Sequence, residues 1–186
     1  MLKRLIHWVL GILLIVASAS CRPSIEKGIS SRIASLSGTT ELGTVEYTVK
    51  KIVRASDNQV WTVGDRKILF STTSYLKAGV KLDGFSEDNV SYNKRENSIT
   101  VTLPKASLLS FNMPPEEIRT EYESYGVFRS RFSEAEQNKI LRLGEERIRK
   151  DIGNLGILNE AEKNTTDFFV AMFNQIGIEK VNVIFE

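Results

Sequence analysis

Histidine and cysteine each occur once in the 186 residues, as His7 and Cys21. His7 sits in an N-terminal apolar segment, and removal of that segment leaves no imidazole for a general base or a histidine metal site. One cysteine excludes an internal disulfide. No Gly-x-Ser-x-Gly or Ser-x-x-Lys motif occurs, and the glycines of "GVKLDG" stand too far apart for a phosphate loop. These absences predict a non-enzyme with no catalytic residues and no cofactor. Charge is missing too: residues 1–20 carry Lys3 and Arg4 and no acid, and taking those two from 25 basic residues leaves 23 against 23 acidic. A nucleic-acid binder usually needs a net basic surface, so none is expected as a partner. Repeats and low-complexity segments are also missing, and no apolar run reaches the roughly 20 residues that span a bilayer.

What is present begins at the N-terminus. Lys3 and Arg4 precede "LIHWVLGILLIVA", then Ser18, Ala19, Ser20 and Cys21. A positive start, a short apolar stretch and small residues before a cleavage point define a signal peptide, here residues 1–20. "SASC" resembles a bacterial lipobox, whose cysteine becomes an acylated mature N-terminus. Ser18 stands where a large aliphatic residue is usual. A plain signal peptide and a retained signal anchor remain as alternatives. Each buried methylene contributes about 0.8 kcal/mol, so two or three palmitate-length chains on Cys21 would anchor the protein almost permanently. The expectation is a lipoprotein of the cell membrane or outer membrane, facing the periplasm or the cell surface, with the membrane as partner through Cys21.

Residues 21–40 read as lipidated cysteine, tether and short helix, with Ile25, Ile29, Ile33 and Leu36 at helical spacing and Gly38 as its stop. Residues 41–186 read as one α+β domain. Val45, Tyr47 and Val49 alternate as a strand, with a bulge expected at Lys50 and Lys51. A turn at "ASDN" leads to a short strand around Trp61, and "KILFSTTSYLKAGVKL" predicts one bent strand or two. "DGFSEDN" is a loop, and Val90 and Tyr92 pair with Ile99, Val101 and Leu103 as a hairpin ended by Pro104. "PPEE" predicts a helix starting at Pro115. Ser133 and Glu136 form a capping box ahead of the stripe Ile140, Leu141, Ile148, Ile152 and Leu155. Asn159 and Glu162 open another helix, with Ala161, Thr165, Phe168, Phe169, Met172 and Ile176 on its buried side and Gly177 as its stop. Val181, Val183 and Phe185 alternate as a last strand. The fold class expected is α+β: antiparallel strands in the first half, helices in the second, and a C-terminal strand returning to the sheet.

Four segments resemble the bacterial family of domain of unknown function 4230 (DUF4230). They are "KAGVKLDGF" at 77–85, "ITVTLPKASLLS" at 99–110, the expected tyrosine-bearing helix after "PPEE", and the final "AEKNTTDFFVAMFNQIGIEKVNVIFE". The family's Ala-Gly-apolar-Asp-Leu core is met by Ala78, Gly79, Val80 and Leu82; its Asp is Lys81 here, with Asp83 two places on. The resemblance covers 41–186 and implies a fold and an envelope habit without an assigned activity. The closing helices and strand are also similar, at the level of fold alone, to scaffold domains of the stomatin/band-7 type.

Of the remaining polar clusters, Asp83, Glu87 and Asp88 offer three carboxylates in six residues, enough oxygens to invite calcium. Their spacing matches no EF-hand and predicts a solvated loop with no metal. "RLGEERIRK" pairs Glu145 with Arg149 and Glu146 with Lys150 along a solvated helix face. The leading functional expectation is a non-enzymatic envelope lipoprotein that binds another protein or a membrane surface. The alternative is a small-molecule or lipid binder with a cavity between the sheet and the Phe168/Met172 helix. An enzyme would need Asp57, Asp65, Asp83 and Glu87 to converge.

Overall fold

The computed structural model describes residues 24–57 and 64–186; Cys21 and Trp61, both singled out above, lie outside them. Helix α1 (Ile25–Ser35) starts at Ser24, whose hydroxyl accepts the Lys27 N–H, and stops before Gly38 at φ +87°. Its apolar spacing has a clear outcome: Ile29, Ile33 and Leu36 are buried in the main core. Strands β1 (Glu41–Asp57) and β2 (Arg66–Lys81) then form a long antiparallel ribbon. β2 is one strand, and its inward residues Ile68, Phe70, Leu76, Ala78 and Val80 are almost wholly buried.

The bulge in β1 lies between Leu42 and Val45, not at Lys50 and Lys51. Gly43 takes φ +63° there, hard against Ala161 and Thr165, where a Cβ would collide with the threonine hydroxyl. Ile52 looked out of phase because it points outward and is exposed, while Val53 stays on the inward set. Nor is there a turn at Ala55 to Asp57, since those residues pair with Ile68 to Arg66.

β3 (Val90–Asn93) and β4 (Ser98–Leu103) make the expected hairpin. β5 (Ser107–Asn112) and β6 (Arg119–Tyr125) both join β2 on the side away from β1, β5 along 75–79 and β6 along 66–71. The helix expected after "PPEE" is therefore a correction: Pro115–Glu117 is a single 3-10 turn, and the tyrosines that follow are in a strand. Proline and two acids supply a helix start, but "RTEYESY" has no apolar stripe for a helix to bury.

Helix α2 (Glu134–Asp151) opens with the predicted capping box, Ser133 N–H donating to Glu136 Oε2 at 2.8 Å. A 3-10 turn follows at Ile152–Leu155, then α3 (Ile157–Asn174). α3 begins two residues before Asn159, because Gly156 turns the chain at φ +76° and sends Ile157 straight into the core. On α3, Phe169 is fully buried and Phe168 is 37% exposed, so adjacent phenylalanines divide between core and surface. β7 (Lys180–Phe185) ends the chain parallel to β4.

The result is mixed α+β with two sheets: β1, β2, β5 and β6 in one, β3-β4-β7 in the other. α3 joins them, because Phe169 and Phe173 share a core with Leu76 and Val80 of β2 and with Ile99 and Leu103 of β4. Both helices lie on one face of the larger sheet. Lys51 reaches Asp151 at 2.9 Å, Tyr47 donates to Glu160 at 2.7 Å, and Arg149 stacks 4.2 Å from the Phe111 ring centroid. Among the described residues no helix is long and apolar enough to cross a membrane.

Candidate binding groove and the end of the ribbon

Among the described residues, no helix covers the other face of the larger sheet. Its outward residues alternate along the ribbon: Thr48, Lys50, Ile52 and Arg54 from β1, and Leu69, Ser71, Thr73 and Tyr75 from β2. β5 ends opposite Tyr75 and β6 begins opposite Ser71, so among the described residues no strand flanks β2 residues 72–74 on that side. A groove of about 400 Å³ opens there. Ser71 and Thr73 floor it, Lys50 and Ile52 form one wall, and Glu117, Arg119 and Glu121 form the other. Ser71 Oγ donates to Glu121 Oε1 at 2.5 Å, leaving the hydroxyl oxygen free to accept. Hydroxyls, both signs of charge and one apolar side chain suit a polar ligand or an extended peptide. They lack the base-activated nucleophile and the paired oxyanion donors of acyl transfer.

Beyond the groove the ribbon ends in a charge cluster. Arg66 Nη2 contacts Asp57 Oδ2 at 2.6 Å and Glu136 Oε1 at 2.8 Å, and Arg129 Nη2 reaches the same Asp57 oxygen at 2.6 Å. The Arg66 guanidinium also lies 4.5 Å from the Phe132 ring centroid. Hydrogen bonding from Arg66, helped by the Arg129 charge, holds the Asp57 carboxyl below the usual range. Glu136, bonded first by Arg66 and then by Ser133, is held down to about 2. Permanently charged guanidiniums keep both acids ionised, so the cluster is a latch between ribbon and helix.

Asp57 is therefore bound in that latch, Asp65 lies near Lys67 at 3.8 Å, and Asp83 and Glu87 are exposed at the far end of β2. The four acids do not converge. Asp83, Glu87 and Asp88 do not converge either: among the described residues no three acidic, histidine or cysteine side chains are placed to hold a metal. Asn89 closes a capping box with Ser86 at that loop. The space between the sheet and α3 is filled, with Phe169 5.6 Å from Phe85 and 6.1 Å from Phe173, centroid to centroid. Glu145 does pair with Arg149, at 2.8 Å. Sequence reasoning missed the groove, whose residues come from three strands and the 3-10 turn that precedes β6, although the alternation around Ile52 was a signal that one face is solvent-exposed.

The described residues thus make a two-sheet α+β domain with one sheet face uncovered. Residues 35–183 match the family described as "Protein of unknown function (DUF4230)", and the chain belongs to that family. No enzymatic family is named by that match. No curated protein and no solved structure matches the chain significantly.

Proposed function

We propose that this protein is a bacterial envelope lipoprotein, anchored through an acylated Cys21, whose domain is a non-enzymatic binding module. The observation that carries the binding part is the bare face of the larger sheet with its 400 Å³ groove. A sheet in this kind of fold normally hides one face under helices and leaves the other to water or to a partner. Here the uncovered face holds an exposed isoleucine beside hydroxyls and charges of both signs, which suits an extended protein segment. Anchoring is supported by the signal-peptide layout and the lone cysteine directly behind it.

Two experiments separate the parts. Intact mass of the protein purified from membranes should give a chain starting at Cys21 with two or three acyl groups, and Cys21→Ala should lack them. A chain retaining residues 1–20 removes the lipoprotein reading. A photo-cross-linking residue at Ile52 should capture one specific envelope protein in whole cells. Labelling no stronger than from Lys180, in a strand of the other sheet, removes the partner. The groove volume also lies within the roughly 300–1,000 Å³ of small-ligand sites. Native mass spectrometry would then show a co-purified small molecule lost on Arg119→Ala.

A further inference from the structure

At the latched end of the ribbon, residues 126–129 form a tight turn, closed by the Arg129 N–H donating to Gly126 O at 2.8 Å. Its two central residues are Val127, 96% exposed, and Phe128, 81% exposed. Turn tips are ordinarily small and polar, since an apolar side chain gains nothing by standing in water. This one is also held firmly. Arg129 is bound to Asp57, and the Gly126 N–H donates to Asp65 O at 3.1 Å. The structure thus commits two guanidiniums and two acids to fixing a turn that shows valine and phenylalanine to solvent.

The chemistry behind the tip is layered. Tyr125 and Tyr122 stand next, both partly exposed. Arg131 donates to the Tyr125 hydroxyl at 3.0 Å and lies over its ring, 5.5 Å from the centroid. No acid occurs between Ser124 and Ser133. Apolar tip, phenol collar and guanidinium, in that order, match the sequence of environments from acyl chain through interface to anionic headgroup.

We infer that the 126–129 turn inserts into the headgroup–acyl boundary of a bilayer. Val127 and Phe128 enter the apolar layer, Tyr125 lies at its edge and Arg131 meets lipid phosphate. A protein partner is disfavoured by size, since an ordinary interface takes about 800 Å² from each side and two side chains supply well under that. A bilayer asks for no such area or shape. One turn binds weakly, and this inference rests on the proposed anchor for its strength: a chain already tethered meets the second contact at high effective concentration. The 17 residues of β1, about 55 Å at roughly 3.3 Å each, separate the turn from the α1 end. Holding both ends at one membrane lays the ribbon along its surface.

The test uses the full chain, purified from membranes and reconstituted in vesicles of phosphatidylglycerol and phosphatidylcholine. An environment-sensitive fluorophore is placed on Ser130→Cys, with Thr48→Cys as a mid-ribbon control. Lipids brominated in the acyl chain should quench the label at 130 and blue-shift it, leaving 48 unaffected. Val127→Asp with Phe128→Asp should abolish that quenching with near-ultraviolet circular dichroism unchanged. Flotation of the same samples reports the anchor separately. If the protein does not float, the acylation reading has failed, and the turn is tested by adding excess vesicles to the Cys21→Ser background, where bromine quenching at 130 still supports insertion. A label at 130 that stays open to iodide and blind to bromine overturns the inference. So does protection at 130 that appears only when other membrane proteins are added, which would assign the turn to a protein partner.

Discussion

The two ends of the β1–β2 ribbon are held by different physics. At the α1 end, nineteen buried residues from two sheets and three helices form one apolar cluster. At the other end four residues, Val53, Ile68, Phe70 and Phe132, form the one buried apolar group among the described residues, beside the Asp57–Arg66–Glu136–Arg129 latch. Apolar burial is indifferent to pH and carries no directional bond. An ionic latch is directional and holds a short segment in one pose, at the expense of acid resistance. The end that needs to persist is oily, and the end that presents a turn is charged.

That contrast can be broken from either side. Phe169→Ala should cost most, about 3–5 kcal/mol of global stability, because it empties a site touched from both sheets. Urea denaturation is the check, and a loss under 1 kcal/mol would mean the two sheets do not depend on α3. Gly43→Ala comes next at about 2–4 kcal/mol, combining left-handed strain with a collision against Thr165. A calorimetric midpoint unchanged from the parent would put the bulge elsewhere.

Acid should instead loosen the latched end alone. Asp57 and Glu136 have folded pKa values below their unfolded ones, so the stability they add is complete above the usual carboxylate range. It drains away as pH falls from about 4.5 towards the value near 2 held by Glu136. Amide exchange at 126–132 should rise over that window before exchange in β4 does. Simultaneous loss at both ends would show one cooperative unit. The smallest effect belongs to Ile52→Ser, within about 0.5 kcal/mol on stability because the residue is exposed. Cross-linking from the neighbouring Lys50 should nevertheless fall.

Much of the apolar end was legible in the sequence for a local reason. Ile99, Val101 and Leu103 alternate, and Ile29 and Ile33 share a helix face, so each signal lies within one element; at the latched end the same holds only for the Ser133–Glu136 capping box. β6 was illegible because its register is supplied by β2: "RTEYESY" buries no face of its own and borrows its order from backbone pairing. The latch was hidden in another way. Arg66 meets partners 9 and 70 residues away, and no spacing rule joins Asp57 to Arg129 across 72 residues. The groove was hidden because it is a gap, defined by where β5 stops and β6 starts. The family match adds a lineage to the fold and leaves the groove to be tested on its own residues.

The fifteen paired positions of the β1–β2 ladder also have a mechanical consequence. A pull applied between α1 and the 126–129 turn acts parallel to β1. It loads that ladder in shear, so its hydrogen bonds share the force and must fail together. A pull across the ribbon would open them one at a time. The protein is built to be strong along its length and weak across it, as a strap is.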